Sequence, residues 1–183
     1  MSISKEKIKF TYEDYLRLPD DGKRYQVIEG EVYMVPAPTP YHQEILGKLL
    51  MSLDNFIEKH KLGKVYCAPC DVILSEVDIV QPDIFFISKE REDIITEKNI
   101  QGAPDFVVEI FSPFTAKLDR TLKTGLYERF GVKEYWLVDL AQKQIEVLFL
   151  RGEGYESLGI YRINQSLESP LLKGLKVDLR EVF

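Results

Sequence analysis

A chain of 183 residues with 45% hydrophobic and 30% charged side chains has the make-up of one globular domain. At that length it buries roughly 70% of its unfolded surface and needs no disulfide or structural metal to hold it. No run approaches the ~20 apolar residues that cross a bilayer, and residues 1–9 lack an apolar signal core, which points to the cytoplasm. The net charge of -6 opposes a polyanionic partner, because neutralising phosphates takes a basic face. An acidic metal site, however, contributes negative charge that a cation offsets.

In chain order, Thr11-Tyr-Glu-Asp14 reads as a short capped helix that stops before Pro19 and Gly22. Residues 25–35 form two strand-like runs around Glu29-Gly30, a hairpin signature. From Tyr41 to His60, Ile45, Leu49, Leu53, Phe56 and Ile57 recur at helical spacing and predict a long amphipathic helix. Three strands are expected next, over residues 64–74, 83–87 and 105–111, with a charged, partly helical excursion at 88–99. Ser112-Pro113 has the form of a helix N-cap with proline at the first helical position. That helix should run to Phe130 and stop at Gly131, with Phe114, Leu118, Leu122, Leu126 and Phe130 on its apolar face. A strand at 134–138 comes next, then a β-rich extension over about 143–183. The order α-β-β-β-α-β between residues 41 and 139 predicts a mixed sheet covered by helices on both faces, in a single domain spanning 1–183.

The only cysteines, Cys67 and Cys70, have Cys-x-x-Cys spacing. The segment Asp71-Val-Ile-Leu-Ser75 directly after them reads as a strand, not the helix a redox motif needs, and no His-x3-5-His pair completes a zinc set. Two half-buried thiols are therefore expected.

Chemistry concentrates in two strands. In Pro104-Asp-Phe-Val-Val-Glu-Ile-Phe111, alternation puts Asp105, Val107 and Glu109 on one face and Phe106, Val108 and Ile110 on the other. Glu109 thus stands mid-strand among apolar neighbours, where a carboxylate is costly without a metal or a cation, the simplest partner being a lysine on an adjacent helix. In Val80-Gln-Pro-Asp-Ile-Phe-Phe-Ile87, Asp83 opens an apolar strand. Should that strand lie beside the Glu109 strand, both carboxylates can face one hard cation; otherwise Asp83 is a strand-start turn residue.

Pro82-Asp83, Glu109 on a later strand, a Ser-Pro-x-Thr helix carrying Asp119 and Lys123, and then Glu134-Tyr-Trp-Leu-Val-Asp139 resemble the restriction-endonuclease-like, Uma-type family expanded in cyanobacteria. It belongs to the nuclease superfamily named for its Pro-Asp…(Asp/Glu)-x-Lys motif, and the resemblance covers about residues 25–147. It implies an α/β fold with a restriction-endonuclease-like αβββαβ core, carrying an added N-terminal hairpin (about 24–35) and a C-terminal β-extension. It further implies an endonuclease, dependent on Mg²⁺ or Mn²⁺, that hydrolyses nucleic-acid phosphodiesters, DNA before RNA, as a homodimer. Asp83, Glu109 and the Ile110 carbonyl would hold the metal. Glu44, on the first turns of the Tyr41 helix, would add a carboxylate, unless it only pairs with Lys48.

The motif lysine should stand at Phe111. The resemblance moves it to Lys123, four residues after Asp119 and on the same helical face; a surface ion pair is the plainer account of that spacing. His42 could orient a phosphate or cap its helix. Lys117, Arg120, Arg129 and Lys133 could line a phosphate track or merely solvate a helix face. Two rival readings remain: a degenerate nuclease fold that binds nucleic acid or protein without cleavage, and an oligomeric structural module without a site.

Overall fold

The structure, a computed structural model, describes residues 8–19, 21–111, 118–152 and 154–183. Helix α1 (Tyr12–Tyr15) is closed by a capping box, with Thr11 Oγ1 accepting from the Asp14 N–H and the Asp14 carboxylate accepting from the Thr11 N–H. Strands β1 (Arg24–Ile28) and β2 (Glu31–Val35) pair antiparallel across Glu29-Gly30, both at positive φ, as a two-residue turn matched to strand twist requires. Helix α2 (Pro40–His60) starts at Thr39, whose side chain accepts from the His42 N–H, with Pro40 at the first position. Its buried stripe is Ile45, Leu46, Leu49, Leu53 and Ile57.

Strand β3 (Gly63–Cys67) then turns back along the sheet. Gly63, at φ +149°, lies so close to a neighbouring strand that a Cβ would collide with the Ile87 carbonyl oxygen. The chain continues through β4 (Val72–Ser75), β5 (Asp78–Val80), β6 (Ile84–Ser88), a 3₁₀ turn at Lys89–Ile94, β7 (Ile100–Gln101) and β8 (Phe106–Phe111). A π-helical turn (Leu118–Lys123) leads into α3 (Thr124–Arg129), which ends at Gly131 with φ +77°. Strands β9 (Glu134–Asp139), β10 (Gln144–Arg151), β11 (Gly154–Arg162), β12 (Ser166–Glu168) and β13 (Lys176–Asp178), and helix α4 (Leu179–Val182), complete it.

The architecture is a mixed α/β fold. Its main sheet has the order β11-β10-β9-β8-β6-β3, with β8 and β9 parallel and every other pair antiparallel. A second sheet, β2-β1-β5-β4-β7, joins the hairpin to the middle of the chain, and β12 and β13 pair separately. Alternation along β8 separates two cores. Phe106, Val108 and Ile110 pack with Trp136, Val138 and the α2 stripe; Val107 and Phe111 pack with Phe85, Tyr135, Leu137, Leu126 and Tyr127. Among the described residues no helix is long and apolar enough to cross a membrane.

The single strand expected over 64–74 is two strands in different sheets, β3 in the main sheet and β4 in the second. Pro69 between them has no N–H to offer a ladder, so pairing lapses there. Cys67 and Cys70 flank the break as free, half-buried thiols. The proposed helix start at Ser112-Pro113 lies outside the described residues.

The C-terminal segment is fixed by a buried carboxylate. Glu134 Oε1 accepts from Trp136 Nε1 (2.6 Å), and Oε2 accepts from the Ser169 hydroxyl (2.7 Å) and the Leu171 N–H (3.0 Å). This seats Leu167, Leu172, Leu175 and Val177 against the α2 side of the sheet. Burial pushes the Glu134 carboxyl up to about 7, against the pull of its three donors. Because the folded pKa exceeds the unfolded one, the stabilisation is present at acid pH and is lost as pH rises through about 7. Denaturant unfolding of wild type and Glu134→Gln should therefore show the wild-type advantage shrinking between about pH 4.5 and 7 and levelling off above, by at most about 3 kcal/mol. A difference independent of pH would refute this.

Candidate active site

The register Ile84↔Val108 brings Asp83, just before β6, level with the end of β8. Asp83 Oδ2 accepts from the Ile110 N–H at 2.8 Å and lies 3.3 Å from His42 Nε2, which is itself 3.0 Å from the Ile110 carbonyl oxygen. Three elements thus converge: the first turn of α2, the entry to β6 and the end of β8. The Asp83 and His42 side chains are both only 13% exposed. Burial alone would lower the His42 pKa, but the hydrogen bond and charge of Asp83 outweigh it and hold the imidazole above its ordinary value. Its Nδ1 is buried and has no hydrogen-bond partner among the described residues.

Beside this group, Glu109 is buried in β8. Lys123 Nζ stands 2.9 Å from Glu109 Oε1, both side chains 4% exposed, and the Tyr127 hydroxyl donates to the same oxygen at 2.6 Å. Lys123 and Tyr127 are one helical turn apart, so a single face of the helix delivers both donors. A lysine on the adjacent helix is therefore what compensates the mid-strand carboxylate.

Phe111, where the motif lysine would stand, is buried in the second core beneath the Arg120 guanidinium, 4.7 Å from the ring centroid. Glu44 is not brought to this group. It stands two residues, about 200°, around the helix from His42, and its carboxylate meets Lys48 Nζ at 2.8 Å. Lys48 in turn donates to the Val182 carbonyl. The helix cap is Thr39, so His42 does not cap with its side chain.

The side chain of Asp119 and all of Lys117 lie outside the described residues. The remaining cations of the expected phosphate track all meet acids: Arg120 meets Glu146 and Asp139, Arg129 meets Glu29 and Asp78, and Lys133 meets Asp105. Asp105 is an anchor at the base of β8. Burial would raise its pKa, but Lys133, the Ser88 N–H and Arg91 outweigh that and hold it below the usual carboxylate value. A cleft of about 520 Å³ between the hairpin and the helix, walled by Glu29, Asp78, Leu122 and Arg129, includes none of Asp83, Glu109 or Lys123.

Reading the sequence alone missed two participants, the Tyr127 hydroxyl and the double contact of His42. The four-residue spacing of Lys123 and Tyr127 was the available signal for the first. His42 lies on the helical face that precedes Ile45 and Leu46, which was the signal for the second.

The profile of the Uma2 family, described as "Putative restriction endonuclease", matches residues 12–180. Among solved structures, a protein of Anabaena variabilis ATCC 29413 described as "a putative nuclease" superposes with a TM-score of 0.79 at 18% identity, over 95% of this chain and 97% of that one. At that identity the likeness is one of fold. A comparison with curated proteins finds no match.

A buried pair broken on one side leaves an uncompensated charge, which costs about 3–5 kcal/mol. Lys123→Met should destabilise the fold by that order in denaturant unfolding, and Tyr127→Phe by about 1.5–3 kcal/mol. Adding Glu109→Gln to Lys123→Met should recover much of the loss; strict additivity of the two changes would show that the pair is not energetically coupled.

Proposed function

Since the chain belongs to the Uma2 family, we propose that it is a cytoplasmic, divalent-metal-dependent endonuclease that hydrolyses DNA phosphodiesters, working as a homodimer that engages both strands. The observation that carries this reading is the buried Glu109–Lys123 pair, whose glutamate lies on β8 next in sequence to Ile110; the Ile110 N–H donates to the Asp83 carboxylate at the entry to the neighbouring strand. These are the residue types that metal-assisted phosphodiester hydrolysis uses: hard oxygen donors next to a cation able to face a phosphate.

Among the described residues no three His, Cys, Asp or Glu side chains form a metal-binding group. The donors nonetheless suit Mg²⁺ or Mn²⁺ when the main chain is counted, with Asp83, Glu109 and the Ile110 carbonyl as the holders. The bound cation would supply Lewis-acid polarisation of a phosphate oxygen and activation of water. Lys123 would stabilise the charge growing on the phosphoryl oxygens, and Tyr127 would keep Glu109 oriented while the lysine is drawn toward substrate. Glu44 would join only by leaving Lys48 and the side of the helix it occupies.

A second reading, a nuclease fold that binds nucleic acid or protein without cutting, draws support from charge. The net charge is -6, and Arg120, Arg129 and Lys133 already face acids. Supercoiled plasmid incubated with Mg²⁺ or Mn²⁺ separates the two. Nicking and linearisation by wild type, reduced to background in Asp83→Asn and Glu109→Gln variants with unchanged circular dichroism, is the expected outcome. Cleavage by either variant at the wild-type rate would sink the assignment. A wild type that retards duplex DNA on a gel but leaves plasmid intact with both metals would establish the non-cleaving reading.

A further inference from the structure

We propose that His42 is itself a ligand of the cation, making the site a mixed nitrogen and oxygen centre that selects Mn²⁺ over Mg²⁺. The inference rests on the metal-dependent reading above and adds to it a ligand and a metal preference.

The spacing is the first support. An octahedral ion with bonds of about 2.0–2.1 Å sets neighbouring ligand atoms about 3 Å apart. His42 Nε2 lies 3.3 Å from Asp83 Oδ2 and 3.0 Å from the Ile110 carbonyl oxygen. One nitrogen therefore sits at that separation from two oxygens already taken as donors.

Hydrogen bonding accounts for this poorly. Nε2 can carry one hydrogen but faces two acceptors, and Asp83 Oδ2 is also supplied by the Ile110 N–H at 2.8 Å.

The helix supports the placement. Thr39 caps the first turn of α2, and Ile45 and Leu46 pin the next turn into the core, so the His42 backbone is fixed relative to β6 and β8. On this helix it is the imidazole, not the Glu44 carboxylate, that meets Asp83. Mg²⁺ keeps to oxygen donors, whereas Mn²⁺ takes the same oxygens and, as a first-row transition ion, accepts an imidazole nitrogen beside them, so a histidine in the shell favours Mn²⁺ relative to Mg²⁺.

Calorimetric titration of Mn²⁺ and Mg²⁺ into wild type, His42→Ala and Asp83→Asn tests this, with thermal melts confirming that each variant is folded. Wild type should bind Mn²⁺ at least about tenfold more tightly than Mg²⁺. Partners that only orient a metal ligand are worth about ten- to a hundredfold. Losing a direct ligand in His42→Ala should therefore cost Mn²⁺ affinity at least about tenfold, while Mg²⁺ affinity stays within about threefold and selectivity collapses. Pulsed electron paramagnetic resonance of the Mn²⁺-loaded wild type should show coupling to a directly bound nitrogen that His42→Ala lacks. Missing nitrogen coupling, or Mn²⁺ binding by His42→Ala as tight as wild type or tighter, overturns the ligand assignment.

The Asp83→Asn arm separates this failure from a deeper one. Binding lost with Asp83→Asn but kept with His42→Ala defeats only the histidine. Binding kept by both variants, or absent in wild type even with a phosphorothioate duplex present, defeats the metal site of the proposed function as well.

Discussion

A carboxylate in the middle of a strand with every residue buried must be compensated from outside that strand, and here the compensation comes from one face of one helix. Lys123 and Tyr127 converge on the same oxygen of Glu109, and both are buried in doing so. Left alone, that carboxylate would shed its charge or open the sheet; paired, it holds the helix in register with β8. Leu126, between them in the chain, fills the apolar core below β8 and β9. The site and the second core are thus one contact surface, and disturbing either disturbs the other.

Much of this frame could be read from residue order because periodicity reports burial directly. Ile45, Leu49, Leu53 and Ile57 have a period that only an amphipathic helix buries, and the alternation across 106–111 divides as expected between the two cores. Alternation does not say which sheet a strand joins. The run 64–74 therefore looked continuous although Pro69 divides it between sheets, and β5, three residues long, had too few positions to show a pattern. The buried anchors were opaque for a related reason. Asp105 and Glu134 stand at strand starts, where charge ordinarily meets water, and only tertiary partners far along the chain, Lys133 and Ser169, make their burial tolerable.

At the site, sequence identified residue types but could not orient them. That Asp83 would lie beside the end of β8 depended on β6 and β8 being neighbours, a property of sheet order. Glu44 and His42 were equally plausible from position, being two residues apart at the start of one helix. The helix rotation that buries Ile45 and Leu46 turns His42 toward Asp83 and leaves Glu44 to Lys48. A choice between a carboxylate and an imidazole at the site thus depends on which stripe of α2 is apolar.

Placing the cation on a helix instead of two residues after Glu109 changes what the site depends on. A strand lysine at position 111 would share a face with Glu109 and be held by local geometry alone. Here that position is Phe111, which adds an aromatic ring to the core and offers its face to Arg120. Lys123 instead reaches Glu109 through tertiary packing, at the junction where a π-helical turn gives way to α-helix. An extra residue in a helical turn shifts the phase of everything before it relative to everything after it. Lys123 and Tyr127 keep ordinary α spacing on the downstream side, so both meet one oxygen, while Arg120 upstream is aimed instead at Glu146, Asp139 and the Phe111 ring. The change of helical pitch thereby divides two cations of one segment between two tasks, one compensating the buried carboxylate and one covering the strand end where the motif lysine is missing.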